Sequence, residues 1–95
     1  MSRAFVSEDR EGPDPRHRFP LPPRDDPAFP LAAARALLQG AHEGDSITAE
    51  EATGHLFGDP ALVAEVDRIL REAEAAGNDR LAQLAERFLR RAGAL

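Results

Sequence analysis

The chain has no cysteine, no lysine, no tryptophan and no tyrosine. Without thiols there are no disulfides, no cysteine nucleophile and no zinc site built on thiolates. Without lysine there is no Schiff-base amine and no phosphate-loop lysine. No apolar run approaches the roughly 18 residues a membrane-spanning helix needs. The N-terminus sets Arg3 before Glu8, Asp9 and Glu11 without an apolar stretch of signal-peptide type. A soluble, cytoplasmic protein is expected. The length, 95 residues, allows one domain, and all twelve basic residues are arginine. With alanine abundant as well, the arginine bias reads first as the imprint of a GC-rich genome and only then as selection for guanidinium chemistry.

What is present is unevenly distributed. Seven of the eight prolines, at 13, 15, 20, 22, 23, 27 and 30, fall in residues 1–30 among charges of both signs. Proline removes backbone donors and fixes φ, and this stretch has little apolar surface to bury, so an extended Pro-rich tail is predicted there. "FPLPPRDDPAFP" favours polyproline II and holds two minimal PxxP spacings, Pro20 to Pro23 and Pro27 to Pro30, neither with the basic flank usual in groove ligands. A linker, or an arm lying on its own domain, is preferred to a partner-binding peptide.

Residues 31–95 have a single proline and read as a small all-α domain of four helices in two hairpins. A first helix over 31–43 repeats Ala33, Ala34, Leu37, Leu38 and Ala41 and stops at Gly44. "TAEE" predicts a short second helix from Thr48, with Thr48 accepting from the Glu51 amide in a capping box, ending by Gly58. "DPALVAEVDRILREAEAAG" gives the strongest signal: Asp59 as cap, Pro60 in the first turn, Gly77 as stop, and Leu62, Val66, Ile69, Leu70 and Ala73 on one stripe. Asn78 or Asp79 caps a last helix whose buried face is Leu81, Leu84, Ala85, Phe88, Leu89 and Ala92, closed by Gly93. No segment alternates with period two, so no strand is expected.

Shifting the chain by 33 residues superposes Leu37 on Leu70, Gly44 on Gly77, Ala49 on Ala82, Ala52 on Ala85 and Leu56 on Leu89. That period and small-residue spacing resemble tetratricopeptide-type helix hairpins, which implies a paired-hairpin architecture, although two copies are fewer than such arrays use.

Chemistry is sparse. The three histidines, His17, His42 and His55, lack metal-ligand spacing, and His42 is read as a polar or cationic group near a helix C-terminus. Glu50, Glu51, Asp59, Glu65 and Asp67 are accounted for by caps, helix dipoles and solvated faces. Ser2, Ser7 and Ser46 have no nucleophile context. Neither an enzyme nor a cofactor or metal site is expected. Asp67 with Arg71, Arg68 with Glu72 and Glu86 with Arg90 stand at ion-pair spacing.

"MSRAFVSED", residues 1–9, resembles the opening of small bacterial homologues of the Gre-type transcription elongation factors. The resemblance implies a tail used near the transcription machinery. Nothing downstream matches that family's acidic-tipped coiled coil, so no functional residue is carried over. The stretch itself offers Phe5 and Val6, two apolar side chains in a polar setting.

Two functions compete. A non-enzymatic protein–protein interaction module would engage another protein, or a second copy of itself as a homodimer, through Phe5, Val6, Phe19, Pro20, Leu21, Pro22 and Pro23 of the tail and Arg80, Arg87 and Arg91 of the last helix. The alternative is a nucleic-acid-binding protein of helix-turn-helix type, centred on "SITAEEATGHLFGDPALVAEV" or on the arginine-rich C-terminal helix. Charge separates them: Glu43 through Asp67 holds seven acids and no arginine, whereas phosphate binding runs on Arg and Lys. The interaction module is preferred, and deleting residues 1–24 is expected to leave the domain's stability nearly unchanged.

Overall fold

The computed structural model describes residues 14–95. Every regular element in that range is helical: α1 (Pro15–Arg18), α2 (Phe29–Glu43), α3 (Ser46–Thr53), α4 (Val63–Ala76) and α5 (Asp79–Arg91), with a 3₁₀ turn at Pro60–Leu62 leading into α4. The protein is all-α. α2 and α3 form one hairpin and α4 and α5 the other, and α2 packs against both helices of the second pair.

The second hairpin follows its sequence signals closely. Asp59 accepts from the Ala61 amide at 2.9 Å, Pro60 opens the 3₁₀ turn, and Gly77 ends α4 at φ 72°. Asn78 accepts from the Leu81 amide at 3.1 Å and starts α5. Leu62, Val66, Ile69, Leu70 and Ala73 are all buried, as are Leu84, Ala85, Phe88 and Leu89 opposite them. Phe88 lies at the centre, with Phe57 meeting it edge-on at 4.9 Å between ring centroids.

α2 begins at Phe29, two residues before the predicted start, because Asp26 accepts from the Ala28 amide at 2.8 Å and Pro30 fits the first turn. Gly44 closes it at φ 73°, with the Asp45 amide donating back to the Gly40 carbonyl at 2.7 Å. The α2–α3 crossing is tight at Gly40, where a Cβ would stand 2.6 Å from that of Ala49.

α3 departs from its predicted register. It starts at Ser46 after Asp45, so Thr48 lies inside the first turn and the Thr48–Glu51 capping box does not form. The Thr48 hydroxyl instead donates to the Asp45 carboxylate at 2.6 Å. The tight turn out of α2 already places the Asp45 carbonyl to accept the Ala49 amide, so the helix begins before Thr48 is reached. It ends at Thr53 on the left-handed Gly54, ahead of Gly58.

The Pro-rich segment also differs from a bare extended tail. Pro15–Arg18 make one helical turn, because Asp14 accepts from the Arg16 amide at 2.8 Å and a proline in the first turn has no amide to lose. The arm lies on its own domain: Phe19 is buried in the core, Leu21 packs against it, and Arg18 pairs with Glu43 and, at 3.5 Å, with Asp45. Pro27 and Pro30 sit in a turn and a helix start, so the second PxxP spacing is not a polyproline ligand. The core thus takes in Phe19 and Phe29 from the stretch assigned to the tail.

The 33-residue echo holds through the first helix of each hairpin, with Leu37 and Leu70 buried and Gly44 and Gly77 both left-handed. It breaks at its end, where Leu89 is buried and Leu56 is 67% exposed.

Candidate functional site

A groove of about 600 Å³ lies between the arm, α2 and the α4–α5 pair. Its floor is apolar, formed by Ala32, Ala36, Leu38, Ile69, Leu81 and Leu84, with Phe19 and Pro20 as the arm's wall. Arg18, Arg35, Gln39, His42, Asn78 and Arg80 complete the lining. Three arginines and no carboxylate thus face this space, in a chain whose net charge is −5.

α2 supplies one long side of the groove because Ala32, Arg35, Ala36, Gln39 and His42 recur at helical spacing beside the core stripe of Ala33, Ala34, Leu37 and Leu38. The three guanidiniums differ in what already holds them. Arg18 is engaged by Glu43 and Asp45. Arg35 donates to Glu72 at 3.1 Å, and Glu72 also takes Arg68 at 3.2 Å. Arg35 first, and Arg68 with it, hold the Glu72 carboxyl below the usual carboxylate range. Arg80 donates from Nε to His42 Nδ1 at 3.3 Å and forms no ion pair with a carboxylate among the described residues. His42 Nδ1 is the acceptor in this contact, a polar group in the last turn of α2 as expected.

A second recess, about 310 Å³, lies among Ala41, Ser46, Glu50, Phe57, Arg87 and Arg91. Glu50 is already occupied there, accepting from the Phe57 amide at 2.9 Å. The three arginines chosen on α5 are therefore split, Arg80 in the groove and Arg87 and Arg91 in the recess. Arg87, Arg90 and Arg91 likewise form no ion pair among the described residues, so the expected Glu86–Arg90 bridge is absent while Asp67–Arg71 and Arg68–Glu72 are made.

His55 Nδ1 meets Asp59 Oδ2 at 2.8 Å. That hydrogen bond, reinforced by the Ala61 amide, holds the Asp59 carboxyl below its ordinary value. The pair fastens the turn between α3 and α4. Among the described residues no cluster of three or more His, Asp or Glu side chains is placed to hold a metal ion.

Of the tail residues singled out in the sequence, Phe19 and Pro20 line the groove, and Phe19 is 5% exposed, so its ring serves the chain's own core rather than an outside partner. Leu21 and Pro22 are half-buried and Pro23 is exposed. Phe5 and Val6 lie outside the described residues. The sequence reading missed Arg18, Arg35, Gln39 and Ala36. The spacing of Ala32, Arg35, Ala36, Gln39 and His42 marks a second face on α2, beside the stronger apolar stripe. Among the described residues no helix is long and apolar enough to cross a membrane. No protein-family model, curated protein or solved structure matches the chain.

Proposed function

We propose that the chain is a non-enzymatic protein-binding module that engages its partner through the groove between the arm, α2 and α5. The observation that carries this reading is the pairing of an apolar floor with a rim that holds three arginines and no carboxylate. Recognition sites of this kind combine hydrophobic burial with a few placed polar groups, and here Arg80 is charged, exposed and, among the described residues, without a carboxylate of its own. Association with the transcription machinery rests on residues 1–9 alone and names a setting for the module rather than its mechanism.

A second reading, nucleic-acid binding, is favoured by the four arginines of α5, none of them ion-paired among the described residues. It is opposed by the acids from Glu43 to Asp67, which surround the helix-turn-helix stretch with repulsion for phosphate. Asp59, Pro60 and Ala61 stand where a reading helix would present its first turn, and none is a phosphate ligand.

Affinity capture from the native cell, with and without nuclease, tests both. Nuclease-resistant recovery of one protein, lost with Arg80→Glu, is the expected result. Recovery that nuclease abolishes, retained in Arg80→Glu and lost when Arg87, Arg90 and Arg91 are replaced together, would establish the nucleic-acid reading instead.

A further inference from the structure

Resting on the protein-binding reading, we infer that the occupant of the groove is an amphipathic helix of the partner, bearing two carboxylates seven residues apart with apolar side chains between them. The argument begins with length. Ala32, Arg35, Ala36, Gln39 and His42 line the groove along α2, and at about 1.5 Å rise per residue they span about 15 Å, close to three helical turns. A groove that follows a helix for three turns matches a second helix laid along it, with anchors at i, i+3, i+4 and i+7.

Charge sets the positions of those anchors. Arg35 stands near the middle of α2, and Arg80 is placed beside His42 toward its end. The seven residues from 35 to 42 correspond to about 10 Å along the axis, two turns, which is the i, i+7 separation on a docked helix. Between them Ala36 leaves shallow floor, flanked by Leu81 and Leu84, where larger apolar side chains of the partner fit. A small amphiphile with one anionic head would satisfy a single arginine and leave the other unused.

Both guanidiniums are available at little cost. Among the described residues Arg80 has only a ring nitrogen of His42 to give up. Arg35 can leave Glu72 without stranding it, because Arg68 remains on the same carboxylate at 3.2 Å. Arg18, fastened to Glu43 and Asp45, keeps the arm's wall in place instead of reading the ligand.

The test is a fluorescence-anisotropy titration of the full chain with a labelled, hydrocarbon-stapled helical peptide carrying glutamates seven residues apart and two leucines between them. The comparison peptides carry the glutamates five residues apart, or glutamine in place of glutamate. Micromolar affinity is expected, falling about tenfold with Arg35→Ala, with Arg80→Ala and with either comparison peptide. Both positions are exposed, so far-UV circular dichroism should show the variants folded. Indifference to glutamate spacing, or unchanged binding by both arginine variants, would overturn the inference. So would Arg80-dependent binding of decanoate with no binding of the peptide. If the peptide fails while Arg80-dependent protein capture from the cell persists, the partner is of another shape and the protein-binding reading stands; if both fail, that reading falls too.

Discussion

Three Asp-Pro steps in this chain perform the same local task. Asp14, Asp26 and Asp59 each accept from the amide two residues on, at 2.8, 2.8 and 2.9 Å, and each is followed by a proline that has no amide to satisfy. The step at 59 was legible as a helix start because a long apolar stripe follows it. The step at 14 was not, because the turn it begins holds only four residues and is stabilised by Phe19 reaching the core. Asp59 also carries a pH consequence. Its folded pKa is depressed, chiefly by His55, so its contribution to stability is present above the unfolded value of about 3.9 and is lost as pH falls through the folded value. Asp59→Ala is expected to cost about 1 kcal/mol at neutral pH. That gap should narrow below about pH 4 in urea unfolding curves collected across the acid range. At Gly40, alanine is the better helix former by about 1 kcal/mol, yet its Cβ would meet Ala49 at 2.6 Å. Gly40→Ala should therefore lower the melting temperature.

Among the elements, α4 and α5 were readable almost residue by residue, since caps, stops and apolar stripes all agree there. Leu70 and Phe88 sit on those stripes, and replacing either with alanine is expected to cost roughly 2–5 kcal/mol, measured by denaturant titration. α3 was harder because two capping residues, Asp45 and Thr48, compete three positions apart, and only Ala49 and Thr53 of its eight residues are buried to fix the phase. Thr53 shows why a polar residue belongs in that pair. Its hydroxyl donates to the Ala49 carbonyl at 2.9 Å and accepts from the His55 amide at 3.1 Å, so burial leaves it satisfied. The basic face of α2 was invisible for a different reason. Helical spacing shows which residues share a face, but only the arm's placement makes that face the wall of a groove.

For the whole molecule, the arm is the feature that the sequence reading separated and the structure joins. Phe19 is 5% exposed and belongs to the same cluster as Leu38 and Phe29. Deleting residues 1–24 should therefore lower stability, contrary to the expectation for a dispensable tail. Loss of the Phe19 ring alone is worth about 3–5 kcal/mol at a fully buried site. Phe19→Ala in the full chain should reproduce most of the deletion's effect, and a deletion with unchanged unfolding midpoint would show that the arm adds nothing to the fold. Charge is segregated along the sequence, with the acids concentrated from Glu43 to Asp67 and the arginines of α5 following them, and the fold brings the two together where Arg87 and Arg91 line the second recess with Glu50.

Phe19 and Pro20 give the groove one of its walls. Docking of the arm and occupancy of the groove are consequently linked equilibria: the factor by which a seated arm tightens a ligand is the factor by which that ligand tightens the arm. Pro23, Arg24 and Asp25 are exposed at the end of this strap. A saturating ligand should slow proteolytic cutting after Arg24, so the cleavage rate at one peptide bond reports binding at a site the protease never touches.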